Sequence, residues 1–146
     1  LYTVWKRTAP PPAMDILNAP SREVFCVTRD RTNTPLQALV LMNEPLFVEA
    51  SRQIATRALR QAWRFTARLD VVSLGLLGRT MTSPERDVIR RMLDEALATY
   101  QREPESAAEL VAVGASPVDS GLSVPELAAW TLVASQVMNL DESLTK

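Results

Sequence analysis

Residues 29–50 contain two helix starts in succession, and no other stretch of the chain constrains the fold as tightly. Thr34 suits an N-cap, Pro35 stands at the first helical position, and Gln37 follows three residues after the cap. In this capping-box pattern the hydroxyl and the amide each satisfy a backbone group that the first helical turn leaves unpaired. Leu36, Leu39 and Val40 continue at helical spacing. Pro45 must then end or kink this helix, since its ring excludes a backbone donor and crowds the preceding turn. Asn43 is placed to cap a second helix, which carries Phe47, Ser51, Ile54 and Ala58 on one face.

The rest of the chain repeats the same grammar. Leu69, Val72, Leu76 and Leu77 predict a helix over about residues 66–77, stopped by Gly78. Ser83 is expected to cap the next, with Pro84 in its first turn and Glu85 and Asp87 at its positive end. Ile89, Leu93, Ala96, Leu97 and Tyr100 give that helix an apolar stripe. A shorter helix is expected from Pro104 to Val113, ending at Gly114, followed by a loop over residues 115–121. Ser123, Pro125 and Glu126 form the clearest start signal of all. Leu127, Trp130, Thr131, Ala134, Val137 and Met138 then make the helix apolar on more than one side, so it should be the most buried. The expected fold is all-α: an irregular bundle of about five to six helices in a single domain over residues 1–146.

An extended arm, residues 1–34, is expected to lie on the helical body formed by 35–146. Pro10, Pro11 and Pro12 favour polyproline geometry. Tyr2, Val4 and Trp5 are too apolar for a free tail, which predicts that Trp5 sits in a groove. Met14 to Leu17 suit one helical turn, and Glu23 to Thr28 have the composition of a short strand.

Two absences limit the chemistry. The chain has no histidine, which removes the commonest general base and metal ligand. Its one cysteine, Cys26, allows no internal disulfide, no cysteine-pair metal site and no haem-attachment motif. No cofactor or metal is therefore expected on this chain. No apolar run approaches the ~20 residues of a membrane span, and no signal peptide is legible. Leu1 in place of methionine suggests a piece of a longer protein.

Net charge is −1, but residues 1–70 hold ten Lys/Arg against six Asp/Glu, and 71–146 hold six against eleven. The halves, at +4 and −5, are expected to pack together and complement each other. A nucleic-acid surface would need denser basic clustering with more aromatics than the eight present, so no nucleic-acid partner is expected.

Several segments resemble a domain of unknown function from planctomycetes, found at the C-terminal end of large exported proteins of cytochrome-c-like type. They are residues 1–8 with the prolines 10–12, residues 31–39, 42–45 and 47–50, the turn 77–79, and residues 127–130 through 139–142. The string from Thr32 to Leu39 is the specific one. Asn18 and Glu44 stand where the family pattern has aspartate. The resemblance implies an exported, multi-domain parent, with any haem in a separate module. It carries no catalytic residues with it, and the family domain is longer than this chain.

Arg22, Arg29 and Arg31 flank Cys26 just before a helix start. They could hold an anion, since guanidinium forks and helix-start amides suit sulfate, phosphate or carboxylate. The favoured alternative has them pinning the arm to acidic groups such as Asp141 and Glu142. Asn33 is expected to tie up loop backbone. Cys26, between Phe25 and Val27, is expected to be a buried thiol, with a redox or partner-facing thiol as the sharper option. Asp94–Glu95 and Asp141–Glu142 are carboxylate pairs, but consecutive helical positions diverge, so they do not suit paired acid–base work. Trp5, Trp63 and Trp130 are each expected in the core rather than as a ligand platform, and Trp63 is the one to test for exposure. The chain thus reads as a non-catalytic structural or interaction domain that docks on other domains of its parent. The alternative is a binding module for an anionic ligand, such as a sulfated or uronic polysaccharide, held by Arg22, Arg29 and Arg31.

Overall fold

The computed structural model describes residues 6, 9–20, 24–28 and 32–145. Within them the chain is all-α: eight helices and no strand, apart from an isolated bridge between Lys6 and Ala9. The helices are α1 (Pro12–Ile16), α2 (Pro35–Asn43), α3 (Pro45–Gln61), α4 (Phe65–Leu77), α5 (Ser83–Arg102), α6 (Pro104–Ala112), α7 (Val124–Met138) and α8 (Asp141–Leu144). The short α1 and α8 account for the excess over the expected five to six. Each is too brief to bury an apolar stripe of its own, which is the signal a periodicity argument needs.

The body is assembled around α7, which packs against α3, α5, α6 and α4. Nine of its fifteen residues are buried, including Leu127, Trp130, Val133 and Val137, so it is the core helix its all-round apolarity predicts. Ala55 and Ala58 of α3 and Ala128, Ala129 and Ala134 of α7 are fully buried. These small side chains suit a close approach between the two helices. Phe65 fills the next layer, its ring centroid 5.9 Å from that of Trp130.

Proline placement explains most of the boundaries, and tertiary contacts explain the deviations. Thr34 and Gln37 form the expected capping box at α2. Asn43 does not cap α3. Proline at position 45 drives its predecessor Glu44 into the extended region (φ −69°, ψ 125°), and Glu44 becomes the capping residue without a side-chain bond. Asn43 instead donates to the Leu39 carbonyl at the end of α2. At α5 the cap is Thr82 rather than Ser83, with Glu85 accepting from Thr82 N at 2.7 Å. The capping box expected at α7 does not form, because Arg68 takes Glu126 in an ion pair. Gly78 ends α4 in the left-handed region, as expected.

The segment 24–28 forms no strand. It lies exposed, with Phe25 90% accessible, and no neighbouring strand supplies the ladder that five residues would need. Pro12 opens α1 instead of continuing the extended run, since proline is preorganised for a first helical turn. Tyr2, Val4 and Trp5, with the expected groove contact of Trp5, lie outside the described residues.

Candidate functional site

Three regions of the described surface are built by side chains with defined partners. The first joins the arm to α2. Gln37 is buried, and its amide serves both sides of the junction. Its oxygen accepts from Thr34 N at 2.9 Å, while its nitrogen donates to the Ile16 carbonyl at 2.9 Å and to Thr32 Oγ1 at 2.8 Å. Thr32 Oγ1 also accepts from Asn18 Nδ2 at 2.6 Å, and Asn18 adopts a φ of +57° that asparagine tolerates better than most residues. Asn33 donates to Asp141 Oδ1 at 3.1 Å and so links the arm to α8. It was expected to bond loop backbone; a carboxylate 108 residues away takes that role.

The second region is a clamp on the loop between α6 and α7. Glu49 accepts from the backbone N–H of Ala115 and Ser116 and from the Ser116 hydroxyl. These bonds, that of the hydroxyl foremost, hold its carboxyl below the usual range. Arg52, buried one turn further along α3, donates to the Ser116 carbonyl at 2.9 Å and to the Pro117 carbonyl at 3.1 Å. Arg60 pairs with Asp119, whose carboxyl is lowered chiefly by that hydrogen bond. Glu49, Arg52 and Arg60 escaped the sequence reading because their partners are backbone or lie about 60 residues away. A charged residue on an otherwise apolar face, as Arg52 is, was the one available signal.

At the third, Arg79 bridges Glu85 and Glu142, with Nη2–oxygen distances of 2.9 and 2.7 Å. Glu85 is driven down to about 2, first by Arg79 and then by its bonds to Thr82. Glu142 is thus engaged by Arg79, and its expected pairing with the arm arginines lies outside the described residues. Arg60–Asp119 and Arg68–Glu126 join first-half cations to second-half carboxylates, in the sense of the charge imbalance, whereas Arg86–Asp70 joins the halves in the opposite sense.

Arg22, Arg29 and Arg31 lie outside the described residues, so neither their anion role nor their pairing with Asp141 and Glu142 is placed. Cys26 is exposed, its thiol donating to the Thr28 carbonyl at 3.2 Å. The expectation of a buried thiol fails because segment 24–28 does not pack on the body. Among the described residues no group of three or more Asp, Glu, His or Cys converges, and no helix is long and apolar enough to cross a membrane. Trp130 is in the core as expected, whereas Trp63 is 93% exposed and not a core residue.

A surplus of apolar surface sits on α2. The helix carries no charged residue, and it buries Gln37 and Leu41 while leaving Leu36, Leu39 and Met42 exposed, with exposed Leu46 following at the start of α3. Leu36 and Leu39 of the apolar run thus face outward. Periodicity identifies a face without identifying which side of the helix meets the body.

The family model described as PSD1, protein of unknown function (DUF1553), matches residues 1–93. No curated protein and no solved structure matches the chain significantly.

Proposed function

From the premise that this chain belongs to the DUF1553 family, we propose that it is a non-catalytic interaction domain of a larger exported protein, docking on a neighbouring domain of that protein. The observation that carries this role is the uncharged outer face of α2. Leu36, Leu39 and Met42 recur along it, and Leu46 extends it. Contiguous apolar surface of this kind marks an interaction site more often than scattered leucines do. Exposed Val24, Phe25 and Val27 on the arm add apolar surface of the same character. The charged side chains support the non-catalytic part. Glu49, Arg52, Arg60, Arg68, Arg79, Glu85 and Asp119 are all engaged in holding helices and loops together. Any haem belongs to a separate module of the parent, since this chain has neither histidine nor a cysteine pair.

The test compares alkylation of a thiol placed on α2, Leu39→Cys in a Cys26→Ser background, in the chain alone and in the longer protein. Docking should slow alkylation about tenfold or more in the longer protein, because a fully covered thiol reacts only on opening. Equal rates would remove this role.

A further inference from the structure

The corner between α3 and α4 combines a bare indole with unpaired guanidinium groups. Residues 50–69 contain five arginines and no carboxylate. Three are used inside the fold: Arg52 holds loop carbonyls, Arg60 pairs with Asp119, and Arg68 pairs with Glu126. Arg57 and Arg64 are exposed and have no partner among the described residues. Trp63, between them in sequence, is 93% accessible, the most exposed large apolar side chain among the described residues.

The corner is held in place from beneath. Arg68 Nε donates to the Ala62 carbonyl at 2.9 Å, fixing the extended residue that precedes Trp63. Phe65 points the other way, against Trp130, and the Arg90 guanidinium covers its ring at 3.8 Å from the centroid. Arg57 lies near the end of α3; four helical steps of about 1.5 Å and two extended steps of about 3.3 Å put its backbone within about 13 Å of that of Trp63. Arg57 and Arg64 therefore bring two cations to the neighbourhood of one uncovered aromatic face, while Arg90 stays on the Phe65 side.

We infer that this corner is a recognition site for an anionic carbohydrate, a uronate or sulfated pyranose whose apolar ring face stacks on Trp63 while its acid group meets Arg57 and Arg64. The aromatic platform suits a flat ring with C–H groups on one face, and the guanidinium fork suits a carboxylate or sulfate. A folded protein partner fits less well, since stable interfaces cover about 800 Å² per partner and the flanking Gln61, Thr66 and Ala67 offer little apolar area. The site lies on a different element from the exposed face of α2 and does not depend on its docking role.

The test titrates the full chain with a galacturonate oligomer and with dextran sulfate, following tryptophan fluorescence, with neutral dextran and poly-glutamate as controls. Saturable binding of at least one of the two charged glycans is expected, weakening with added salt. Trp63→Ala and the pair Arg57→Gln/Arg64→Gln should each weaken it about tenfold or more while leaving the melting temperature unchanged, because all three side chains are exposed. Heat of binding by calorimetry provides the readout for Trp63→Ala, whose fluorescence changes by construction. Unaltered affinity in Trp63→Ala, equal binding of neutral dextran or poly-glutamate, or no binding of either charged glycan at millimolar concentration would each overturn the assignment.

Discussion

Glu49 Oε1 accepts a hydrogen bond from Ser116 N at 2.8 Å, joining α3 to a loop 67 residues further on. That bond sets the loop beside Gly114, whose φ of +101° is open to glycine and strained for other residues. A Cβ at position 114 would also meet the Glu49 side chain. Gly114→Ala is expected to destabilise the fold by about 1–3 kcal/mol, read as a lower urea midpoint. A Glu49→Ala background removes the carboxyl contacts but keeps the Cβ at 2.7 Å, and should reduce that cost in part. An unchanged cost in the double variant would assign it to the backbone and that Cβ contact.

Arg52 extends the same clamp. It is buried and bonds two successive carbonyls through two different nitrogens, a geometry that needs a planar fork. Arg52→Lys keeps the charge and loses the fork, so it should cost about 2 kcal/mol. Hydrogen exchange of the loop amides at 115 and 116 should accelerate with it. A variant as stable as the parent, with loop exchange unaltered, would show that the carbonyls do not need the guanidinium.

Gln37 is the corresponding residue for the arm. Gln37→Leu fills the same space but leaves the Ile16 carbonyl and the Thr34 N–H without their partner. A loss of about 2 kcal/mol is expected, with faster exchange confined first to α1 and the residues that follow it. If α1 kept its protection, the arm would be held by something other than this amide.

Acid should loosen the fold through its paired carboxylates. Glu85 is lowered from 4.5 to about 2, and Glu49 and Asp119 are also depressed. A carboxyl with a depressed folded-state value binds protons more readily when unfolded. Its stabilisation is complete above the unfolded value near 4.5 and fades as pH falls toward 2. The melting temperature should therefore hold from neutrality to about pH 5 and then decline. Glu85→Gln should lower it at neutral pH and flatten the decline between 4.5 and 2. An identical slope in that variant would remove Glu85 from the account, and because Glu85 is 38% exposed its share should be modest.

What the sequence determined by itself was the local part: all-α class, proline-started helices, the Thr34–Gln37 box, the Gly78 stop and the central place of α7. These follow from backbone sterics and periodicity, which act within a few residues. Which side of α2 faces inward, whether segment 24–28 packs, and who owns Glu126 were left to the tertiary structure. Cys26 and Leu36 illustrate why: each has a reasonable local role, and what the rest of the fold places beside it, or leaves bare, decides the outcome, whereas Asn43 is displaced locally by Pro45. At Glu126 the pairing with Arg68 replaces the local cap, because a guanidinium–carboxylate hydrogen bond is ionised on both sides.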